Sequence, residues 1–443
     1  MKFNDIALNI TNILLPRKGI DMTKWAAVAC DQFTSQPDYW DEAYKTAENA
    51  PSTLNLMLHE IYLEDEDVED RIKVINGTMK EYLSDGTLEE TEPCMILIKR
   101  DTKASPVRTG VVAALDLEKY DFTKGSDSLI RATEGTVTER IPPRMKVRKN
   151  ADVELPHIMI LIDDPRYTAV EKLSEYAEAN SLEPVYDFEM MMKGGSITGW
   201  KITDEKVIND FAEALRKLAA PEVFNKKYGL EGISPLLYAV GDGNHSLASA
   251  KCHWEELKKQ GAAMDHPARY ALVEIVNVHD KGIIFEPIHR VLFGVNEEDF
   301  TDSMLGYFGE NASYVSTEEL DESAAKADAS LPYHTIPVCF GKFNGIIYID
   351  KKEHTLAVGA IQKFIDEYLK EHPEVKIDYV HGNDVTAELG GKDGNAGIFL
   401  PAMEKSDLFL TVIKNGSLPR KTFSMGEAFE KRYYVEARKI TEG

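Results

Sequence analysis

The sequence lacks several features that would assign it to a special class of protein. It has only four cysteines, and Cys30, Cys94, Cys252 and Cys339 stand far apart with no CxxC pair, so neither a zinc site nor a disulfide framework is expected. No apolar run approaches the roughly 20 residues that cross a bilayer. No basic leader followed by an apolar core is present at the amino terminus. We therefore expect a cytoplasmic protein that does not contact a membrane.

The chain also lacks an excess of basic residues. Its 443 residues include 51 Lys and Arg against 75 Asp and Glu, which gives a formal net charge of -24. Binding of a polyanion needs clustered Lys and Arg, so nucleic acid is not an expected partner. A small phosphorylated ligand is still compatible, because charges more than about 8 Å away are largely screened and local groups decide. The hydrophobic content of 43% supports a large core divided into two or three domains.

The most informative stretch is 236–260, LLYAVGDGNHSLASAKCHWEELKKQ. A short apolar run is followed by a polar turn, and apolar residues then recur at helical spacing, so a strand, a turn and a helix are predicted. The start of a helix offers unpaired N–H groups and a partial positive charge, which favour a phosphate or carboxylate. The residues expected to bind such a group share this turn; they are Gly241, Asp242, Gly243, Asn244, His245 and Ser246.

A simpler interpretation of the same turn is structural. Asn244 or Ser246 could cap the helix and Asp242 could satisfy the turn, as these residue types often do. The glycine spacing matches neither the dinucleotide fingerprint nor the P-loop. His245 beside an aspartate favours a functional interpretation, because capping alone does not require a histidine.

Two further groups of basic residues are candidates for binding an anionic ligand. Residues 131–149 form a basic cluster in an acidic protein, where an anion could dock or which could be a solvated loop. In the apolar segment FEPIHRVLF, the pair His289 and Arg290 predicts a buried cation. Such an arginine needs an anionic ligand or an internal carboxylate, and the sequence leaves both alternatives open.

Strands and helices are mixed throughout the chain, which predicts an α+β or mixed α/β fold. The residue composition changes after Gly294, where an acidic stretch is followed by a predicted hairpin-like pair of strands and then by alternating helices and strands. We therefore predict a core over residues 1–293 and a smaller mixed α/β C-terminal domain over 294–443.

Five stretches together resemble one bacterial and archaeal family, the domain of unknown function ten-fifteen. They are ILLPRKGIDMTKWAAVACDQFTSQPDYW, IRATEGT, YAVGDGNHSLASAK, FEPIHRVLF and LPRKTFSMGEA. The resemblance extends essentially from end to end. It implies that residues 1–293 form a ParB/sulfiredoxin-like catalytic core with an N-terminal elaboration, in a superfamily that includes the free-serine kinases.

The central motif of that family is usually Asp-Gly-His-His-Arg. The resemblance assigns its aspartate to Asp242, its glycine to Gly243 and its second histidine to His245, whereas Asn244 and Ser246 depart from it. Sulfinate reduction is disfavoured, because the catalytic cysteine of sulfiredoxin corresponds to Asn244. The missing arginine at Ser246 leaves a bound phosphate in need of another cation.

Other motifs of the family carry over to Glu134 and Thr136, with Thr133 in place of a usual histidine, and to His289 and Arg290. Arg131 and Arg140 flank the segment that contains Glu134. We expect these two arginines to supply the missing positive charge, since a charge-assisted contact to phosphate is worth roughly 1.5 to 3 kcal/mol.

These observations lead to one hypothesis and two alternatives. The hypothesis is a phosphotransferase that uses ATP or ADP with Mg²⁺ and acts on a small hydroxylated metabolite, with free L-serine or O-phosphoserine first. Asp242 would bind Mg²⁺ or accept the hydroxyl proton, His245 would hold phosphate, and Glu134 would be a second acid or base. The alternatives are a phosphoserine phosphatase and a nucleotide-binding regulatory protein without turnover. A homodimer is compatible with each of them.

Overall fold

The protein is described by a computed structural model that covers residues 1–135, 141–328, 330–352, 354–419 and 421–442. The chain divides into two compact units. Unit 1 comprises Met1–Ile284 and Glu427–Gly443, and unit 2 comprises Phe285–Gly426. No helix within these described ranges is long and apolar enough to cross a membrane.

The described residues form twelve α-helices and twenty-four strands, together with short 3-10 turns. The helices are α1 Met22–Trp25, α2 Pro37–Ala47, α3 Val68–Ser84, α4 Ile141–Lys149, α5 Val170–Ala179, α6 Glu205–Ala219, α7 Pro221–Tyr228, α8 Asn244–Lys259, α9 Glu297–Phe308, α10 Ala357–Glu371, α11 Asn383–Gly390 and α12 Lys405–Asn415. The strands are β1 Lys2–Phe3, β2 Leu8–Asn9, β3 Leu14–Pro16, β4 Ala27–Val28, β5 Leu88–Glu90, β6 Met95–Asp101, β7 Arg108–Asp116, β8 Tyr120–Asp121, β9 Ile130–Ala132, β10 Val153–Glu154, β11 Met159–Ile162, β12 Tyr186–Glu189, β13 Ser196–Ile202, β14 Tyr238–Asp242, β15 Tyr270–Asn277, β16 Phe285–Phe293, β17 Ala312–Thr317, β18 Tyr333–Phe340, β19 Phe343–Asp350, β20 Lys376–His381, β21 Asn395–Ile398, β22 Phe423–Met425, β23 Tyr433–Tyr434 and β24 Arg438–Lys439.

Unit 1 is built around a mixed sheet. Its strand order is β12-β13-β6-β7-β15-β11-β14-β9-β8, with β2 added to β7 and β1 to β2. Most neighbours are antiparallel, but β11 runs parallel to β15, and β9 runs parallel to both β14 and β8. The prediction of an α+β fold is therefore confirmed.

The central strands of this sheet are covered on both faces. In β15, Leu272 belongs to one buried cluster, whereas Ala271 and Val273 belong to the other. The same alternation of two faces is present in β6, where Ile96 and Leu97 fall in different clusters. A strand buried on both faces is expected to be apolar without interruption, and this explains the continuous runs in the sequence.

Unit 2 has a sheet of its own, in the order β17-β19-β18-β21-β16-β20, and β22 pairs with β16. The predicted hairpin is present as β18 and β19, which pair antiparallel up to Phe340 and Phe343. Residues Ile361, Phe364 and Ile365 of α10 are buried in this unit.

The division between the units differs from the predicted boundary after residue 293 in two ways. The segment FEPIHRVLF is strand β16, and it pairs with β20, β21 and β22, so it belongs to unit 2. The last residues, from Glu427, return to unit 1, where β23 pairs with β4 and β24 pairs with β10. A contact between segments 400 residues apart leaves no local pattern in the sequence.

Buried ion pairs attach this C-terminal segment to the sheet of unit 1. Glu274 of β15 is fully buried; its Oε1 lies 3.4 Å from Arg108 Nε and its Oε2 lies 3.2 Å from Arg432 Nη1. Burial raises the pKa of Glu274, but the guanidinium groups of Arg108 and Arg432 outweigh it and hold that pKa below the usual value. Arg432 also donates to Glu436, at 2.8 Å.

We predict that Glu274→Gln lowers the free energy of unfolding by about 3 to 5 kcal/mol, because it leaves two buried arginines without their shared carboxylate. Chemical denaturation would measure it. A carboxylate with a depressed pKa stabilises the fold above its unfolded pKa of about 4.3, and that contribution is lost as the pH falls. The deficit of the variant should therefore shrink as the pH is lowered through that value.

The matched control is Asp210→Asn, which removes a carboxylate from the exposed pair Lys206–Asp210 on α6. Exposed pairs contribute little to stability, so no measurable change is expected. Equal stability of Glu274→Gln and the wild type would contradict the structural role of the buried network.

Candidate functional site

The candidate site is the turn between β14 and α8, as the sequence predicts. Strand β14 ends at Asp242, Gly243 adopts a left-handed conformation with φ of 80°, and α8 starts at Asn244. A Cβ on residue 243 would lie 3.1 Å from Ile158 Cα, so both the backbone conformation and the close approach require glycine. The N-cap residue of α8 is Gly243, which has no side chain to accept a hydrogen bond from the first turn of the helix.

The polar side chains of the turn have partners other than the helix end. The Asn244 side chain accepts a hydrogen bond from Thr133 N at 3.2 Å, and the Ser246 hydroxyl lies 2.6 Å from His157 Nε2. Asp242 Oδ1 accepts from Gly243 N at 2.8 Å. The N-cap residue is Gly243, so the interpretation of Asn244 or Ser246 as the cap is wrong.

Strand β9 brings Glu134 to the same edge of the sheet. Because β9 and β14 are parallel and Ala132 pairs with Val240, the residues that follow the two strands emerge side by side. Thr133 is buried there and donates through its hydroxyl to Val240 O at 2.6 Å. Glu134 follows it directly and is partly exposed.

The C-terminal segment adds a cation that the sequence analysis missed. Lys431 Nζ lies 3.5 Å from Asp242 Oδ2, and the lysine side chain is 16% exposed. The only sequence signal was the basic tail, which contains the letters EKRYY. Nothing in that pattern indicates that the tail pairs with β4 or that Lys431 lies beside Asp242.

Arg131, one of the two expected phosphate ligands, has a different environment. It is buried, and it donates from Nε to Ser128 O at 2.8 Å and from Nη2 to Ser234 O at 2.9 Å. Burial lowers the pKa of this guanidinium. These contacts hold neighbouring loops together. The other expected ligands in this segment, Thr136 and Arg140, lie outside the described residues.

Two other members of the basic cluster belong to α4 and are paired with carboxylates. Arg144 forms an ion pair with Glu60, and Arg148 pairs with Glu154. Helix α4 packs against α8. At Arg144 and Arg148, the basic cluster is therefore part of a helix, and carboxylates compensate both charges.

His289 and Arg290 belong to unit 2, on β16, and both are buried. His289 Nδ1 accepts from Leu400 N at 3.0 Å, and burial lowers the pKa of this imidazole to about 4. Arg290 donates to Gln362 at 2.9 Å and lies over the Tyr379 ring, 5.1 Å from its centroid. These contacts are within the fold of unit 2.

The site thus defines a class of protein: an α+β protein in which a helix that begins after a glycine turn lies beside an aspartate and a lysine at one edge of the main sheet. The chain belongs to the family described as "Protein of unknown function (DUF1015)", whose model matches residues 14–368. The resemblance noted in the sequence is confirmed at this level, whereas the ParB/sulfiredoxin-like superfamily stays a prediction. No curated protein matches the chain.

Several solved structures are similar to parts of the chain at low identity. A conserved hypothetical protein from Pyrococcus furiosus is 13% identical with a TM-score of 0.35, covering 74% of this chain and 95% of that one. A free serine kinase in complex with AMP is 11% identical with a TM-score of 0.36, covering 74% and 91%. SbnI with a C-terminal truncation, from Staphylococcus aureus, is 10% identical with a TM-score of 0.34, covering 71% and 83%.

We predict that Gly243→Ala destabilises the protein by more than Gly229→Ala. Both glycines have positive φ, 80° and 63°, so each substitution carries a backbone cost of about 1 to 2 kcal/mol. A Cβ at residue 229 meets nothing within 4 Å, whereas one at residue 243 approaches the backbone of Ile158. Denaturant titration of both variants measures the loss of unfolding free energy, and the difference between them reports the cost of the close approach to Ile158. Equal losses would show that the turn can relax to accommodate the Cβ.

Proposed function

We propose that unit 1 is a phosphoryl-transfer enzyme that binds a phosphate group at the N-terminus of α8 and acts on a small hydroxylated metabolite. The observation that carries this proposal is the Asp242–Lys431 pair at the glycine turn that begins α8. Phosphoryl transfer depends on positioning, on neutralisation of phosphate charge, and on a base that orients the hydroxyl. The turn supplies candidates for each.

Neutralisation is supported by two adjacent features. The N-terminal end of a helix carries about half a positive charge, and its first N–H groups have no acceptor within the helix. Lys431 adds a full charge on the side of the turn that contains Asp242. Lysine is a common phosphate ligand that acts as a point charge, so it can replace the arginine that is absent at position 246.

Asp242 is the proposed base and the proposed ligand for Mg²⁺. Mg²⁺ in phosphoryl-transfer sites is held by one or two carboxylates together with phosphate oxygens and water, and it neutralises charge on the transferred group. Across the described ranges, no group of three His, Cys, Asp or Glu side chains could hold a metal ion. The donor set at this turn therefore fits an ion that arrives with ATP or ADP, held on the protein side by Asp242.

The acceptor is proposed on chemical grounds together with the sequence resemblance to a superfamily with serine kinases. Free serine carries a hydroxyl for the base and a carboxylate, and O-phosphoserine is the corresponding product or substrate. Glu134, at the same edge of the sheet, is the second proposed acid or base, and His245, in the first turn of α8, is a proposed phosphate ligand.

We predict that Asp242→Asn abolishes turnover and leaves the fold intact. An Asn carbonyl oxygen can still accept from Gly243 N, whereas it cannot take a proton or hold Mg²⁺ as a carboxylate does. Phosphate transfer between ATP and serine, and phosphate release from O-phosphoserine, would be measured together with thermal unfolding. A variant with wild-type turnover would exclude Asp242 as the base.

We further predict that Lys431→Gln raises the dissociation constant of phosphate-bearing ligands about ten- to a hundredfold, the value of one charge-assisted contact. Isothermal titration with ATP, ADP and O-phosphoserine would measure this. The control is Lys206→Gln, which removes the same charge at a highly exposed position of α6. Equal affinity of the two variants for all three ligands would show that Lys431 does not contact phosphate.

The phosphate-release assay and the ligand titrations on the wild type together separate the two alternatives. A phosphatase would release phosphate from O-phosphoserine without a nucleotide acceptor. A regulatory protein would bind ATP or ADP with a rise in melting temperature and no product. Absence of binding by every phosphorylated ligand to the wild type would exclude the proposed function as a whole.

A further inference from the structure

Ser246 and His157 form a second set of polar groups, distinct from Asp242 and Lys431. The Ser246 hydroxyl oxygen lies 2.6 Å from His157 Nε2. Strand β11 begins two residues after His157 and pairs with β14, which ends just before α8, and this pairing brings the two side chains together. A serine and a histidine at this separation have the geometry of a nucleophile and its general base.

The other side of the imidazole is held by the C-terminal segment. His157 Nδ1 lies 3.2 Å from the Tyr434 hydroxyl, which donates to Cys30 Sγ at 3.1 Å and accepts from Cys30 N at 3.3 Å. With the phenolic proton directed at sulfur, Tyr434 accepts from Nδ1–H. Nε2 then presents its lone pair to the Ser246 hydroxyl, which is the tautomer a general base requires.

Tyr434 and Cys30, which support the imidazole of His157, both remain protonated. Burial raises the pKa of Tyr434 well above its ordinary value, and burial raises the pKa of the Cys30 thiol to about 12. Tyr434 therefore orients the imidazole as a neutral hydrogen-bonding group. The thiol acts as an acceptor and not as a second nucleophile, since only the thiolate is strongly nucleophilic.

Ser246, His157, Cys30 and Tyr434 line one cavity of about 150 Å³. A dry cavity of this volume holds a group the size of benzene. Its apolar wall is formed largely by residues of 56–63, α3 and α4, among them Leu56, Met57, Leu63, Met79 and Val147. The space beside the serine therefore fits a short carbon chain or an aromatic ring.

The charges around the cavity disfavour an anion in it. Two arginines line it, Arg144 and Arg148, and each is paired with a carboxylate, Glu60 and Glu154 respectively. Asp31 adds a third carboxylate to the lining. Because the lining carboxylates outnumber the arginines, an uncharged acyl group fits this largely apolar space better than a phosphate does.

From this geometry we propose that Ser246 and His157 form a nucleophile and general base that hydrolyse esters of short, uncharged acyl groups. This activity goes beyond the proposed phosphoryl transfer and uses neither Asp242 nor Lys431. Tyr434 is a positioning residue, because it acts through the imidazole.

The reaction balances with water as the co-reactant. Ser246 Oγ attacks the ester carbonyl carbon while its proton passes to His157 Nε2, and the negative charge on the carbonyl oxygen develops at the positive end of α8. The bond to the alcohol oxygen then breaks, and the alcohol leaves with that proton. Water attacks the acyl-serine, gives its proton to His157, and the acid is released as the proton returns to Ser246.

The test uses the full chain and two probes. A fluorophosphonate, which labels nucleophilic serines, should modify Ser246 of the wild type, as located by peptide mass mapping. p-Nitrophenyl butyrate should be hydrolysed, and p-nitrophenyl dodecanoate should give a kcat/KM at least tenfold lower because its chain exceeds the cavity. Ser246→Ala and His157→Gln should each lower kcat/KM for the butyrate at least about a hundredfold.

Ser249→Ala is the matched control. Ser249 lines the same cavity one turn further along α8, but its hydroxyl donates to His245 O at 2.7 Å, away from any base. Ser249→Ala should still be labelled at Ser246, because it keeps the proposed nucleophile and its base. Failure of this inference is distinguishable from failure of the phosphoryl-transfer proposal, because ester hydrolysis and serine labelling are measured without a nucleotide or a phosphorylated ligand. Tyr434→Phe should lower kcat with little change in KM.

The mapping on the wild type does not depend on whether a variant folds. A label on a different residue, no label, or butyrate hydrolysis that persists at the wild-type rate in a folded Ser246→Ala would each overturn the proposal. Equal kcat/KM for the butyrate and the dodecanoate would overturn the assignment of the cavity as the acyl site.

Discussion

Glu274 is a carboxylate buried in the centre of the main sheet of unit 1, and its ion pair with Arg432 fixes the path of the last residues of the chain. An unpaired charge at such a depth is very unfavourable, so the fold of the sheet and the attachment of the C-terminal segment depend on each other. Residues close to Arg432 in the chain belong to both of the proposed sites. Lys431 contacts Asp242, and Tyr434 contacts His157, so both proposed activities rely on this buried pairing.

The sequence predicted the local part of the site and missed the part formed by distant segments. A strand, a glycine turn and a helix are encoded in consecutive residues, so β14, Gly243 and α8 were found. Lys431 and His157 were not identified, because their positions depend on the pairings of β23 with β4 and of β11 with β14. The division into two units also depends on such pairings, because β16 pairs within unit 2 and the residues from Glu427 belong to unit 1. Period and composition carry no information about which distant strands become neighbours.

The departures from the family motifs have physical counterparts in the structure. Thr133 and Asn244, which both replace a usual histidine, contact each other across β9 and α8 through the Thr133 N–H and the Asn244 side chain. These two differences from the motif that the resemblance implies therefore belong to one hydrogen-bonded contact. Ser246, which replaces an arginine, instead contacts His157. A long cation at that position would compete for the cavity beside Cys30 and Tyr434, so its absence is what leaves space there for an uncharged group.

The net charge of the chain and the charge at the candidate site have opposite consequences for an anion. A chain with a formal charge of -24 repels phosphate at long range, but ions reduce that field strongly beyond about 8 Å. Within this distance of the turn, the end of α8 and Lys431 provide positive charge, and Asp242 removes part of it. A divalent cation bound with a nucleotide would offset the aspartate and leave the helix end and the lysine for phosphate oxygens. The balance at this turn is therefore set by neighbouring groups, among them the end of α8, Lys431, Asp242 and Glu134, and the acidity of the rest of the surface does not decide it.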